Sequence, residues 1–97
     1  MSAYMLLCNF TDQAVRSIKE APSRRAAARE LAKKLGVEIK AAYLALGVHD
    51  LIIHVEANDD ETIAKFVMSL ASKGNLRTTT VRVFPEAATD KIIAGLV

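Results

Sequence analysis

Gly47-Val48-His49-Asp50 is the stretch that decides how this chain folds. It separates two segments of strand character, residues 37–46 and 50–57. Its glycine supplies the positive φ that a hairpin loop of odd length needs, so the centre of the chain reads as a β-hairpin. Outward from the turn the pattern repeats on both sides. The chain reads strand, helix, strand, turn, strand, helix, strand, which is two crossover units joined by a hairpin.

The strands differ in kind. Residues 4–10 are almost continuously apolar, as are residues 50–57; such runs fit strands covered by neighbours on both sides. In 37–46, Val37, Ile39, Ala41 and Tyr43 alternate with Glu38, Lys40, Ala42 and Leu44, and 76–84 is punctuated by Arg77 and Arg82. These two are edge strands. The fold class that follows is α+β, a ferredoxin-like βαββαβ sandwich with antiparallel sheet order 4-1-3-2, one domain over residues 1–97. Right-handed crossovers place both main helices on one sheet face.

The helices are legible from their ends and stripes. Thr11 N-caps a short helical segment, with Val15 and Ile18 expected to face inward, and Pro22 restarts the chain. A helix over 23–35 carries the stripe Ala28, Leu31, Leu35 and stops at Gly36. A second, capped by Asn58 or Asp59, carries Ile63, Phe66, Val67 and Leu70. A C-terminal helix over 86–96 is anchored by Ile92, Ile93 and Leu96.

An odd-length loop centred on Val48 sets Ile52 opposite Leu44, His54 opposite Ala42 and Glu56 opposite Lys40. Tyr43, Ile53, Val55, Val81 and Val83 then face the helices. Leu44, Ile52, His54, Thr80 and Arg82 occupy the other face, with either Met5, Leu7 and Asn9 or Tyr4, Leu6, Cys8 and Phe10. No further segment covers that face. Each large apolar side chain left in water there forgoes roughly 1.5–3 kcal/mol. A second copy stacked sheet to sheet recovers this, so the expected partner is the chain itself, as a dimeric α/β barrel or a higher homo-oligomer with Leu44, Ile52 and His54 in the interface.

Composition narrows the function classes. Thirteen basic and eleven acidic side chains leave a net charge of only +2, which calls for neither nucleic acid nor an anionic membrane. No stretch approaches the ~20 apolar residues of a membrane span, and Met1-Ser2-Ala3-Tyr4 lacks the basic start of a signal peptide. Cys8 is the only cysteine, so no intrachain disulfide forms. The expected location is the cytoplasm.

Few residues invite chemistry. His49 and Asp50 are the candidate acid–base pair, since a neighbouring carboxylate lifts an imidazole toward neutral pKa. Tyr43 and His49 are the candidate ligand contacts at the sheet–helix cleft. His49 and His54 are five residues apart and lie on opposite strand faces, so no metal site is expected, and no cofactor. Cys8, among Leu6, Leu7 and Phe10, reads as a buried inert thiol. Arg25, Arg29 and Lys33 form a ridge on the first long helix and read as a solvated face, while Lys40 and Glu56 read as a cross-strand pair.

Stretches along nearly the whole chain resemble the GYD-domain family, within the dimeric α/β-barrel superfamily: Asn9-Phe10-Thr11-Asp12-Gln13, residues 27–36, Leu46-Gly47-Val48-His49-Asp50-Leu51, residues 55–61 and residues 74–80. His49 stands where the family's Gly-x-Tyr-Asp has tyrosine. The resemblance implies the fold and oligomerisation. Relatives on this fold include cofactor-free monooxygenases, muconolactone-isomerase-like enzymes and ligand-sensing modules, and fold alone does not choose among them. The reading is a homo-oligomeric protein that binds a small molecule in the sheet–helix cleft. The alternative is a cofactor-free monooxygenase- or isomerase-like enzyme with His49 as base, Asp50 as its orienter and Tyr43 positioning the substrate.

Overall fold

The structure is a computed structural model and describes residues 1–97. Strand β1 (Ser2–Phe10) leads into a short helix α1 (Asp12–Arg16), a 3-10 turn at Ile18–Glu20 and helix α2 (Ala21–Leu35). The hairpin strands β2 (Glu38–Leu44) and β3 (Leu51–Ala57) follow. Helix α3 (Asp60–Ser72), strand β4 (Leu76–Val83) and helix α4 (Glu86–Ala94) complete the chain. The sheet is antiparallel in the order β2-β3-β1-β4, the ferredoxin-like order expected, with the two apolar strands at its centre.

Helix ends follow local chemistry. Thr11 caps α1 by accepting from the Ala14 amide at 3.2 Å. Asp59, not Asn58, caps α3: its Oδ1 accepts from the amide (2.9 Å) and the hydroxyl (2.7 Å) of Thr62. Both bonds favour the ionised form and hold the Asp59 carboxyl below its usual range. Pro22 sits in the first turn of α2, where its missing N–H costs nothing. The helix ends on Gly36 in the left-handed region at φ 78°.

The core lies between the sheet and the two long helices. Tyr4, Leu6 and Cys8 of β1 and Val55 and Ala57 of β3 meet Ile63, Phe66 and Leu70 of α3, together with Ala32 and Val37. The cross-strand partners fix the faces. Leu6 pairs with Ile53 and Thr80 on the helix side, and Leu7 with Ile52 and Thr79 on the other. The β1 residues on the open face are therefore Ala3, Met5, Leu7 and Asn9.

Several expected placements are corrected. Leu44 pairs with Leu51, and the Ala45 amide donates to the Asp50 carbonyl at 2.8 Å, so residues 45–50 form a loop of even length. This one-residue slip exchanges the faces of its neighbours. Tyr43 pairs with Ile52 and belongs to the open face; Leu44 belongs to the helix face. An extra residue, Lys40, then bulges between Ile39 (opposite Val55) and Ala41 (opposite His54), which restores the original parity for Ile39. With Lys40 in the bulge, Glu56 faces Glu38 and the expected Lys40–Glu56 pair is not made; the one ion pair is Lys65–Glu61.

In β4 the faces are the reverse of expectation: Thr80 and Arg82 lie on the helix side, Val81 and Val83 on the open side. Val81 and Val83 alternate there with Thr80 and Arg82, which by periodicity alone turns the valines inward, but Arg82 lies against the Tyr4 and Phe84 rings and takes the helix side. In α1 the buried residue is Ala14, while Val15 and Ile18 are exposed. Helix α4 has no buried residue, and Ile92, Ile93 and Leu96 are exposed rather than anchored. The radius of gyration, 14.7 Å, accordingly exceeds the ~12.5 Å of a compact chain this long. No helix is long and apolar enough to cross a membrane.

Candidate functional site

Beside the packed core the two layers separate. A cavity of about 550 Å³ lies between the N-terminal half of α2 and the end of the sheet formed by β2 and β3. Its cause is side-chain size. Along the cavity α2 presents mostly small side chains, Ala21, Ala27 and Ala28 with Pro22 and the single large aliphatic Leu31, and these do not fill the space that the Ile63, Phe66 and Leu70 stripe fills under α3. The sheet supplies Ile39, Ala42, Leu44, Leu51 and Ile53 as a floor. Phe66, Leu70 and Leu76 close the inner end. The register slip turns Ala42 and Leu44 toward this cavity.

The mouth is polar and one-signed. Arg24, Arg25, Arg29 and Lys73 line it, and no acidic residue does. Arg24 is committed: its guanidinium donates to the Ser17 carbonyl (3.0 Å), the Ser17 hydroxyl (3.3 Å) and the Ala14 carbonyl (3.3 Å). These bonds tie the end of α1 to α2. Arg25, Arg29 and Lys73 make no ion pair.

The expected site residues do not assemble in one place. Tyr43 borders the cavity from the edge strand and is 60% exposed. His49, half-buried in the hairpin loop, lies outside the cavity lining. Its Nδ1 is 3.1 Å from Asn9 Oδ1, and Asn9 Nδ2 donates to the Val48 carbonyl at 2.7 Å. With the Asn9 amide nitrogen so engaged, Oδ1 is an acceptor, and Nδ1 of His49 carries the proton. Asp50 turns elsewhere. Its Oδ2 accepts from the Phe10 amide at 2.8 Å, and its own amide donates to the Cys8 carbonyl at 2.9 Å. The two neighbours thus hold the loop onto the end of β1 through separate bonds. Ile52 and His54 share the open face, opposite Leu7 and Met5, while Leu44 is on the cavity side. Burial pushes the Cys8 thiol up to about 11, so it is protonated at neutral pH. No group of three or more His, Cys, Asp or Glu side chains is placed to hold a metal ion.

A second polar cluster was not foreseen in the sequence. Tyr4 is 3% exposed, and its hydroxyl donates to Asp60 Oδ1 at 2.5 Å in the first turn of α3. Burial first, and Asp60 second, raise the Tyr4 phenol above its usual range. The Arg82 guanidinium lies 5.5 Å from the Tyr4 ring centroid and 4.2 Å from that of Phe84, and it donates to the carbonyls of Ala3 and Val83. This cluster joins β1, β4 and α3. Only the β1–β4 register brings Tyr4 opposite Arg82, so no local signal announces it.

Comparison with known proteins agrees with this architecture. The crystal structure of MtbAldR superimposes with a TM-score of 0.67 at 20% identity over 87% of this chain; the chain spans about half of that protein (52%). A crystal structure of a Thermus thermophilus protein gives a TM-score of 0.62 at 22% identity, covering 88% of this chain and 95% of the other. At these identities the likeness is one of fold. A Thermus thermophilus protein named glutamine synthetase and cystathionine β-lyase binding protein is 33% identical over 88 residues, 90% of this chain and 93% of its own length. The GYD domain model matches residues 4–93, and the chain belongs to the GYD domain family.

Proposed function

We propose that this protein is a homo-oligomeric binding protein that takes a small, largely apolar molecule into the cavity beneath α2. The observation that carries the reading is the cavity itself. About 550 Å³ falls within the range of small-molecule sites, and its walls are mostly aliphatic with polar groups confined to the mouth. The hairpin loop favours binding over catalysis: the Asp50 carboxylate is spent on the Phe10 amide and does not orient His49. The test is a binding isotherm with and without Ala28→Trp. The indole fills the space under α2, and loss of saturable binding is the expected result; binding equal to that of the parent protein refutes the site.

Self-association rests on the open face. Met5, Leu7, Ile52 and Val81 lie there together, and apart from Ala3 none of its residues is buried. Light scattering at micromolar concentration is expected to give a mass of at least twice 10.5 kDa, reduced by Ile52→Lys. A mass of 10.5 kDa for the parent protein contradicts it. A second reading, docking onto an enzyme, draws on the Thermus thermophilus relative, which is named as a binding protein for two enzymes. Co-migration with purified glutamine synthetase on a sizing column tests it, and separate elution refutes it.

A further inference from the structure

The cavity mouth is more selective than its walls, and from it we infer that the ligand is an organic monoanion, an apolar body ending in a carboxylate. The inference rests on the cavity being the binding site. The chain as a whole is nearly balanced, at +2, yet the residues around this cavity include four cations and no acid. With Arg24 held by Ser17 and Ala14, Arg25, Arg29 and Lys73 remain. Arg25 and Arg29 are one helical turn apart on α2, a like-charge spacing that destabilises a helix unless an anion sits between the charges. Lys73 approaches from the C-terminal end of α3. Three unpaired cations at the mouth of an aliphatic chamber attract an anionic head and repel a cationic one.

The chemistry also excludes more polar ligands. Beyond the cations, the only polar residues bordering the cavity are Asn75 and Tyr43, and Tyr43 belongs to the open face of the edge strand, so a sugar or nucleotide base finds few partners inside and loses its hydration without compensation. A flexible apolar tail loses none.

Titration calorimetry of the full chain with sodium decanoate, decanamide and decylamine tests the inference. Decanoate is expected to bind once per chain, at least about tenfold tighter than decanamide, with decylamine weakest. Raising NaCl to 0.5 M narrows the gap, because the charges at the mouth are exposed and screened. The double variant Arg25→Gln/Arg29→Gln, altered only at exposed positions, is expected to remove most of the decanoate advantage and leave decanamide unchanged. If decanamide binds as tightly as decanoate and both are lost in Ala28→Trp, the cavity stands as the site and the anion inference falls. If none of the three binds, or binding is indifferent to Ala28→Trp, the cavity reading falls with it.

Discussion

Helices α2 and α3 lie over the same sheet and meet it in opposite ways. Helix α3 buries Ile63, Phe66 and Leu70, the middle one to 1% exposure. Helix α2, two residues longer, fully buries only Ala32 and otherwise offers alanines and partly exposed leucines. One crossover unit is a filled core; the other is a roof over space. The contrast separates two demands on a small domain. Large side chains under α3 carry cohesion, which frees α2 to leave a chamber whose walls the bulge at Lys40 and the slip at the turn have re-aimed.

The largest expected effect is on the α3 side. Phe66→Ala should cost about 3–5 kcal/mol in urea unfolding, whereas Leu31→Ala on α2 should cost roughly 1–2 kcal/mol because its side chain borders the cavity and is only partly buried. Equal losses would break the contrast. Next comes Tyr4→Phe, which removes the hydroxyl bond to Asp60 and should cost about 1 kcal/mol. The pH dependence has a definite sign. Because folding raises the Tyr4 pKa, its contribution is complete below the unfolded value of 10.0 and is lost as pH rises through the folded value. Tyr4→Phe should therefore flatten the alkaline limb of stability against pH; an unchanged limb would discharge Tyr4 from that role. Gly47→Ala is expected to cost about 1–2 kcal/mol, since φ is 125° and a side chain is strained there even though the space is open. The smallest effect is chemical. Native Cys8 should resist iodoacetamide at pH 8 and react only on unfolding, as its burial and a thiol pKa near 11 require.

Much of the fold was legible because it is written in local chemistry. Thr11 and Gly36 mark helix ends, Ile63, Phe66 and Leu70 mark a buried stripe, and the apolar runs in β1 and β3 mark the centre of the sheet. What was hidden depends on partners far along the chain. An alternating edge strand looks the same with or without an extra residue at Lys40, and that residue, with the slip at the turn, decides whether Tyr43 or Leu44 faces the cavity. The cavity was foreseen as a cleft, but its contents were not. Alanines on α2 read as helix formers, and their shortfall in volume shows only against the opposing floor. Arg25 and Arg29 read as solvated, and only the placement of Lys73 beside the same mouth makes them a set. Ile92 and Ile93 look like anchors in sequence, yet α4 presents them to solvent.

The most direct test is amide chemical-shift mapping of the ¹⁵N-labelled protein titrated with decanoate. Saturating shifts are expected at Ala28, Ala42, Leu44, Leu51 and Ile53, with Ile63 beneath α3 and Ile52 on the open face unmoved. Shifts confined to the open face, or none that saturate, would contradict a binding chamber under α2.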